Sequence, residues 1–358
     1  MNNFEELSKI IANHSVSIVE GDNVLIELIG CDSTDLGLEL QKVIQEKNAN
    51  VYFNIIDYKI LAQTIKELNK EQVKLWAEND ALRMKKMDVY IGITSPIYPS
   101  ILSNISSEKL SMYNTYYVKP VHLDIRAKMD RWCILKYPNE SMASHFNMQY
   151  EEFKEMYLKA CSYDFKEELN DMEKLIDIMN KTDIVNIKSE DTDLTFSIKG
   201  MKTQKYDGRF NLPDGEVATA PVIDSANGYI KFTGKSSYNG QIFNDIYLEF
   251  KNGKVVKAFE KTGKTIDDIL DIDKGARYIG EFAFGFNPYV DKMYNDIMFD
   301  EKIKGSIHLA LGECFEQGGN DNKSAIHWDI VKLMNTSELE GKIYFDNKLV
   351  YENGKLLL

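Results

Sequence analysis

The sequence predicts an α/β domain with a parallel sheet, followed by a mainly β, α+β domain. Three observations support this fold class. Short β-branched runs alternate with helical patterns in the first half, a long charged helical stretch follows, and the second half has short strand patterns with frequent turn signals. A chain of 358 residues also exceeds what one compact core usually holds. We therefore expect two domains, residues 1–148 and 149–358, the second entered through the long helix.

The first half has the order strand, helix, strand, helix, strand. Residues 23–29 form a β-branched run that suits a buried strand, and Ser33, Thr34 and Asp35 can cap the helical pattern at 36–46. This alternation is typical of a parallel α/β sheet. The other elements predicted in this half are strands at 51–56, 88–94 and 131–135 and one or two helices within 61–87.

The second half changes character after residue 150. Residues 150–180 are rich in Glu, Lys, Leu and Met and predict one long helix between the domains. From residue 183 onward, short strand patterns are separated by turn pairs such as Asp214-Gly215 and Asn252-Gly253. One further helix is predicted near residues 266–271.

The composition describes an acidic protein with enough apolar residues to form real cores. Hydrophobic residues make up 44% of the chain, and the net charge is −13. No Lys/Arg cluster provides the basic face that nucleic-acid binding needs, so we expect no nucleic-acid partner. The four cysteines are scattered, and neither a signal-type segment nor an apolar run of bilayer length is seen. We therefore expect a cytoplasmic protein without a membrane partner.

The sharpest functional signal is His327-Trp328-Asp329. On a β-strand, residues two apart face the same side, so this imidazole and this carboxylate converge while Trp328 turns away. Imidazole together with carboxylate suits zinc, cobalt or manganese rather than a structural thiolate site. The sequence therefore favours a metal-dependent enzyme.

Three further polar residues have contexts that suit a ligand, and each has an ordinary alternative. Glu216 follows a turn fixed by Pro213 and Gly215, where a solvated glutamate is more common. Glu281 lies in an apolar, glycine-flanked segment, where a buried carboxylate needs a cation or hydrogen bonds. His308 has apolar neighbours, and such a histidine is more often a satisfied core residue than a ligand.

Other motifs give no comparable signal. His14, His122 and His145 have no carboxylate or cysteine partner at ligand spacing. Residues 262–265 mimic the end of a phosphate loop, but Ala258 stands where the upstream glycine is required. A nucleotide-binding α/β protein remains as an alternative without motif support.

Several ordered motifs of the C-terminal half resemble the aminopeptidase T / aminopeptidase S family of dinuclear metallo-aminopeptidases. Residues 1–120 match that family only in general α/β character. The motifs are Thr192-Asp193-Leu194, NLPDGEVATAP at 211–221, residues 273–277 leading into GEFAFG, FDEK at 299–302, HLALG at 308–312 and SAIHWD at 324–329.

The resemblance implies a metallopeptidase domain whose metal ligands fall on Glu216, Glu281, His308, His327 and Asp329. It also implies hydrolysis of the N-terminal residue from peptides with a free N-terminus, and a homodimer that encloses a large cavity. Three ligand carboxylates leave one positive charge on two divalent ions, which a bridging water ionised to hydroxide would neutralise while serving as the nucleophile. Because five ligands are few for two ions, we expect Glu281 to bridge them and to take part in catalysis.

One position departs from the family pattern. The family has a tyrosine seven residues after the first ligand histidine, where this chain has Phe315. The hydroxyl donor is lost, which would cost roughly 100- to 1,000-fold in turnover if it stabilises the tetrahedral intermediate. The alternatives are a slower peptidase, another donor such as Tyr278 or a backbone amide, and an altered substrate choice. A catalytically weakened peptide-binding or regulatory relative that keeps the metal site is the alternative function.

Overall fold

The computed structural model describes residues 4–98, 100–232, 234–238, 241–315, 317–334 and 341–357. The chain forms two compact units. Unit 1 contains Met1–Asp164 and Gly208–Pro213, and unit 2 contains Phe165–Asp207 and Asp214–Leu358. The division after residue 148 that we expect from the sequence stays a prediction. In the described part of the chain, no helix is both long enough and apolar enough to cross a membrane.

Unit 1 is built on a five-stranded sheet in which every pair of neighbours is parallel. The strands are, in spatial order, Asn50–Ile56, Asn23–Ile29, Val89–Thr94, Trp132–Lys136 and Phe210–Leu212. The first four match the predicted strands. The fifth belongs to Gly208–Pro213, the short segment in which the chain returns to unit 1. The predicted parallel α/β character of this half is confirmed.

Helices connect these strands. The segment 61–87 contains two helices rather than one, because Asn69 and Gln72 form a capping box that starts the second helix. Ser33 does not cap its helix, since its hydroxyl donates instead to the carbonyl of Gly30 at 3.2 Å. The α-helices are Glu5–Ile10, Thr34–Gln45, Tyr58–Glu67, Lys70–Met84, Ser107–Tyr113, Glu140–His145 and Tyr150–Cys161, and the 3₁₀ and π turns are Ile11–Ser15, Cys31–Ser33, Ile101–Asn104, Asn114–Leu123 and Arg126–Lys128.

Unit 2 is mainly β, as predicted. Its larger sheet has eight antiparallel strands, in the spatial order Lys254–Phe259, Tyr247–Lys251, Asn227–Lys231, Thr192–Ser197, Ile184–Ser189, Lys342–Phe345, Lys348–Glu352 and Lys355–Leu356. A separate antiparallel pair consists of Lys235–Tyr238 and Gln241–Asn244.

The second sheet of unit 2 carries the candidate site. Its five antiparallel strands, numbered in chain order, are β1 (Gln204–Tyr206), β2 (Glu216–Thr219), β3 (Ile279–Gly285), β4 (Ser306–Gly312) and β5 (His327–Leu333), and they lie in the order β5-β4-β3-β2-β1. All residues of β3 and β4 are buried. Any ionisable side chain on these two strands therefore lies inside the protein.

The prediction of one long helix over 150–180 is wrong. The segment forms two helices, Tyr150–Cys161 in unit 1 and Lys166–Met179 in unit 2. The break follows from Phe165, which adopts a left-handed backbone conformation (φ 55°) and buries its ring. The remaining α-helices of unit 2 are Asp267–Leu270, near the predicted position, and Ile297–Asp300.

A partly buried ion pair in unit 1 joins Asp22 to Arg131. Both carboxylate oxygens of Asp22 accept hydrogen bonds from Arg131 at 2.7 Å, and one also accepts from the amide of Val19. Burial by itself raises the pKa of the Asp22 carboxyl, but these hydrogen bonds outweigh burial and the pKa is lowered. A lowered pKa in the folded state gives stability that is present at neutral pH and is lost as the pH falls through the folded value.

We therefore predict that Asp22→Asn lowers the free energy of unfolding by about 2 kcal/mol at pH 7. The difference from wild type should shrink as the pH falls below about 4, where the Asp22 carboxyl is protonated in the unfolded chain, and should be lost as the pH falls through the lower folded pKa. Urea denaturation followed by circular dichroism measures both effects. As a control, Asp124→Asn breaks an exposed pair with Lys119 and should cost less than about 1 kcal/mol. Equal losses in the two variants would contradict the prediction.

Candidate metal centre

The register of the site sheet brings the five predicted ligands to one face. Glu281 on β3 lies opposite Ala310 on β4, and Ala310 lies opposite Asp329 on β5. Residues directly opposite each other in a sheet share a face, as do residues two apart along a strand. His308 is two residues from Ala310, and His327 is two residues from Asp329. These four side chains therefore converge over Ala310, whose methyl group leaves space between them.

Glu216 joins the same face from β2. It lies opposite Gly285, which is four residues from Glu281 on β3 and so shares its face. No side chain fits at Gly285, because a Cβ there would be 2.2 Å from the carbonyl oxygen of Ile303. Glycine thus allows the chain around Ile303 to approach the strand.

The distances between the ionisable atoms agree with this register. His308 Nε2 lies 3.7 Å from Glu216 Oε2, 3.7 Å from Glu281 Oε1 and 4.0 Å from Asp329 Oδ1. His327 Nε2 lies 3.5 Å from Glu281 Oε2 and 3.3 Å from Asp329 Oδ1. The structure therefore brings all five predicted residues together.

The potential ligand atoms fall into overlapping groups. Glu216, Glu281 and His308 can each offer an atom within 4.8 Å of the others, and so can Glu281, His327 and Asp329. Glu281 belongs to both groups, with one oxygen towards each imidazole. This is the position that a carboxylate shared by two cations would occupy.

Glu301 is a member of the cluster that the sequence analysis missed. It forms a third group with His308 and Asp329 and directly follows the short helix Ile297–Asp300. Its side chain is 17% exposed. The FDEK motif contains this residue, but nothing in its spacing distinguishes Glu301 from an ordinary glutamate at a helix end.

Lys302 also lies against the cluster and was not predicted. Its ammonium nitrogen is 2.8 Å from Glu216 Oε1, 2.9 Å from Glu301 Oε1 and 3.4 Å from Asp214 Oδ1. A lysine is seldom buried unless it is paired with acids. Its acidic partners come from two separate segments, so the pattern around Lys302 in the sequence gives no signal for it.

The electrostatic field of the cluster favours positive charge. Burial alone lowers the pKa of His308, but Glu281, Glu216 and Asp329 outweigh burial and raise it to about 9. Burial also opposes the charge on His327, whose pKa is nevertheless raised by Asp329 and Glu281. The same carboxylates can stabilise a divalent cation in place of the protons.

Glu301 is affected differently by the same surroundings. Burial raises the pKa of its carboxyl to about 7, with Lys302 opposing the shift and Glu216 and Asp329 adding to it. In Asp329, burial favours the neutral acid, but His327 and His308 outweigh burial and lower the pKa. Neighbouring carboxylates in one pocket thus differ strongly in how readily they give up a proton.

Two atoms of the cluster fit a metal ion in particular. Glu216 Oε2 is buried and, within the described residues, accepts no hydrogen bond. A buried carboxylate oxygen without a partner is costly, and a cation removes that cost. His327 Nδ1 lies 2.8 Å from the carbonyl oxygen of Glu313, so Nδ1–H donates and Nε2 is the ring nitrogen that faces Glu281 and Asp329. The donor set of imidazoles and carboxylates suits zinc, cobalt or manganese.

Access to the cluster is uneven. The His327 side chain is 36% exposed, whereas His308, Glu216 and Glu281 are buried. The cluster therefore meets solvent at the His327 end of β5. Trp328 turns to the opposite face, as its position between His327 and Asp329 predicts, and its ring N–H donates to the hydroxyl of Ser236 at 2.9 Å.

Phe315 lies three residues beyond β4, and its carbonyl accepts a hydrogen bond from the amide of Gly318. Its ring packs against Gly318.

Tyr206, on β1, lies directly opposite Glu216 and so shares its face. Burial raises the pKa of Tyr206, and the Glu281 and Glu216 carboxylates add to the shift. A protonated tyrosine hydroxyl is therefore present beside the cluster, at a position that the sequence analysis did not single out.

Comparison with known proteins gives related sequences and folds. Aminopeptidase 2 from Geobacillus stearothermophilus is 36% identical over 123 residues, which cover 32% of this chain and 29% of that protein. Aminopeptidase PepS from Streptococcus thermophilus is 32% identical over 165 residues, which cover 40% of this chain and 39% of that protein. The chain thus matches two fifths or less of the length of these relatives.

Two solved structures share the fold over nearly their whole length. Wild-type AmpT from Thermus thermophilus has a TM-score of 0.79 and 19% identity, with 99% of both chains covered. 2,5-Dihydroxypyridine dioxygenase from Pseudomonas putida KT2440 has a TM-score of 0.60 and 16% identity, with 100% of this chain and 98% of that chain covered. At these identities the likeness shows the fold alone, and it confirms the predicted α/β part followed by a mainly β part.

The family assignment rests on a match of far greater extent than the pairwise alignments. The family model described as thermophilic metalloprotease (M29) matches residues 1–356. That range includes both units and every residue of the cluster. The chain therefore belongs to the M29 family of thermophilic metalloproteases, a family that uses divalent metal.

Proposed function

We propose that this protein is a metal-dependent aminopeptidase that hydrolyses the N-terminal residue from peptides with a free N-terminus. The observation that carries the proposal is the buried cluster of Glu216, Glu281, His308, His327 and Asp329, in which imidazole and carboxylate atoms lie 3.3–4.0 Å apart. Membership in a metalloprotease family and the names of the matched relatives support the same activity.

We propose two divalent ions, zinc, cobalt or manganese, with Glu281 as the shared ligand. The two overlapping ligand groups support this number, because together they contain all five predicted ligands and have Glu281 in common. When bound, such ions polarise the scissile carbonyl and lower the pKa of water towards ~7.

The residues of the chain then have distinct tasks. The carbonyl of Glu313 accepts a hydrogen bond from His327 Nδ1–H, so the ring is oriented with Nε2 towards the cluster before metal binds. Burial of His308 and Glu281 keeps bulk water away and strengthens every electrostatic interaction in the pocket. Glu301 lies outside the two groups that share Glu281. We propose that its carboxylate accepts the proton released by the attacking water and passes it to the leaving amine.

We further propose that the protein is a cytoplasmic homodimer. Cys133, Cys161 and Cys314 are buried and form no disulfide among the described residues, which suits a reducing compartment. The homodimer is an expectation from the family resemblance, and sedimentation velocity tests it.

We predict that sedimentation velocity gives a species of about twice the 41.2 kDa chain mass. A single species at the chain mass over a wide concentration range would rule the dimer out.

Metal dependence is the first test of the activity. We predict that a chelator abolishes hydrolysis of aminoacyl reporter substrates, and that zinc, cobalt or manganese restores it. Glu281→Gln removes a charge that both ligand groups share, so metal affinity should fall by at least about 100-fold and activity should fall with it. Metal analysis of the purified protein and reporter kinetics measure these effects.

Glu260→Gln is the matched control for this test. Glu260 is also a buried glutamate of unit 2, but its carboxylate accepts from Thr262 and Asn244 and belongs to no ligand group among the described residues. The control should retain metal and activity. Hydrolysis that resists both the chelator and Glu281→Gln would refute the proposed function.

Phe315 supports the alternative of a catalytically weakened relative, and its substitution separates the two functions. We predict that Phe315→Tyr changes kcat by less than ~10-fold, because another hydroxyl serves the site in the proposed enzyme. An activation approaching ~100- to 1,000-fold would instead indicate a relative that lost its catalytic donor. Steady-state kinetics on the metal-loaded protein measure the change.

Tyr206 is the hydroxyl that we propose in place of the missing tyrosine, because it lies across from Glu216 on the face of the cluster. Tyr206→Phe should lower kcat by roughly 100-fold with little change in KM. Tyr278→Phe is the control, since the sequence offered Tyr278, beside a backbone amide, as a possible donor. A larger loss in the Tyr278 variant would reverse the assignment.

A further inference from the structure

Lys302 is a buried cation beside a site proposed to bind cations. Its side chain is 2% exposed, and its ammonium contacts Glu216, Glu301 and Asp214 at 2.8, 2.9 and 3.4 Å. Removing an ammonium from water is costly unless its N–H groups are all directed to acceptors. Glu216 and Glu301 lie at hydrogen-bond distance from the ammonium and Asp214 lies at ion-pair distance, so the buried charge is paired and the lysine is a built component of the pocket.

The contact with Lys302 makes the two oxygens of Glu216 unequal. Oε1 is 2.8 Å from the ammonium. Oε2 has no hydrogen-bond partner in the described part of the chain and lies 3.7 Å from His308 Nε2. Two ligands on one tetrahedral zinc, each bonded at ~2.0–2.2 Å, lie about 3.4 Å apart. Glu216 Oε2 and His308 Nε2 are thus close to the spacing of ligands to one ion.

We infer that Lys302 is a positioning residue that restricts Glu216 to binding the metal through one oxygen, a role that rests on the proposed function. The ammonium occupies Oε1 and turns Oε2 towards His308. Without it, both oxygens of Glu216 are free to rotate towards the cation. Residues that orient metal ligands in this way typically contribute 10- to 100-fold in metal affinity, in rough terms.

The charges around the pocket agree with this role. Five carboxylates contact either Lys302 or an imidazole of the cluster, namely Asp214, Glu216, Glu281, Glu301 and Asp329. One ammonium and two divalent ions carry five positive charges, which equal the five carboxylate charges before a bridging hydroxide is counted. Lys302 therefore fixes Glu216 without leaving the loaded site positively charged.

The test is cobalt binding to metal-stripped protein, measured by competition with a chromophoric chelator. We expect Lys302→Met to weaken cobalt binding by roughly 10- to 100-fold. We also expect its visible cobalt absorption to fall, since binding through both oxygens of Glu216 raises the coordination number. Lys332→Met is the matched control, because Lys332 is equally buried but pairs with Asp191 and contacts none of the five predicted ligands among the described residues. The control should leave both readouts unchanged.

A second variant keeps the test decisive if Lys302→Met does not fold. Lys302→Met/Asp214→Asn removes the ammonium together with one negative charge, from a carboxylate that belongs to no ligand group in the described residues. It should show the same loss of affinity and the same spectral change. Unchanged or tighter cobalt binding in the Lys302 variants would overturn the positioning role while leaving the proposed function standing. Failure of the wild type to bind cobalt, zinc or manganese would overturn both.

Discussion

The structure of unit 2 depends on one constraint, which is that several carboxylates are held together inside an apolar sheet. Glu281 lies on a strand whose residues are all buried, and Glu216 and Glu301 reach the same pocket. Like charges at such distances repel strongly in a medium of low dielectric constant. Two imidazoles and one ammonium offset part of that repulsion, and bound cations would offset the rest. The pocket is therefore organised for positive charge before any substrate arrives.

Strand register is what converts this constraint into a site. Ala310 lies between Glu281 and Asp329 in the sheet, so the two carboxylates face each other across a methyl group. A larger side chain at that position would fill the space between the candidate ligands. A shift of one residue in β5 would turn both His327 and Asp329 to the opposite face. The burial of Trp328 on that opposite face opposes such a shift, which links the geometry of the candidate site to core packing.

The sequence allowed the prediction of the parts that follow local rules. Alternation along a strand predicted that His327 and Asp329 share a face, and β-branched runs predicted the parallel sheet of unit 1. Glu216 required the family resemblance, because a glutamate after a turn has no local signal of burial. Lys302 could not be predicted, since its partners Glu216 and Asp214 are supplied by a distant segment. The helix break was missed because a left-handed phenylalanine at position 165 is set by tertiary burial and not by local propensity.

The backbone itself does not determine the chemistry of the pocket. The same two-part fold is shared with both AmpT and a dioxygenase, so the architecture is compatible with unrelated reactions. What distinguishes them must be the side chains on the site face and the groups that orient them. In this chain, Glu281 has one oxygen towards each imidazole, and Lys302 occupies one oxygen of Glu216. The oxygen that each carboxylate can offer to a metal is thereby decided by its neighbours, and this is the level at which one fold acquires one activity.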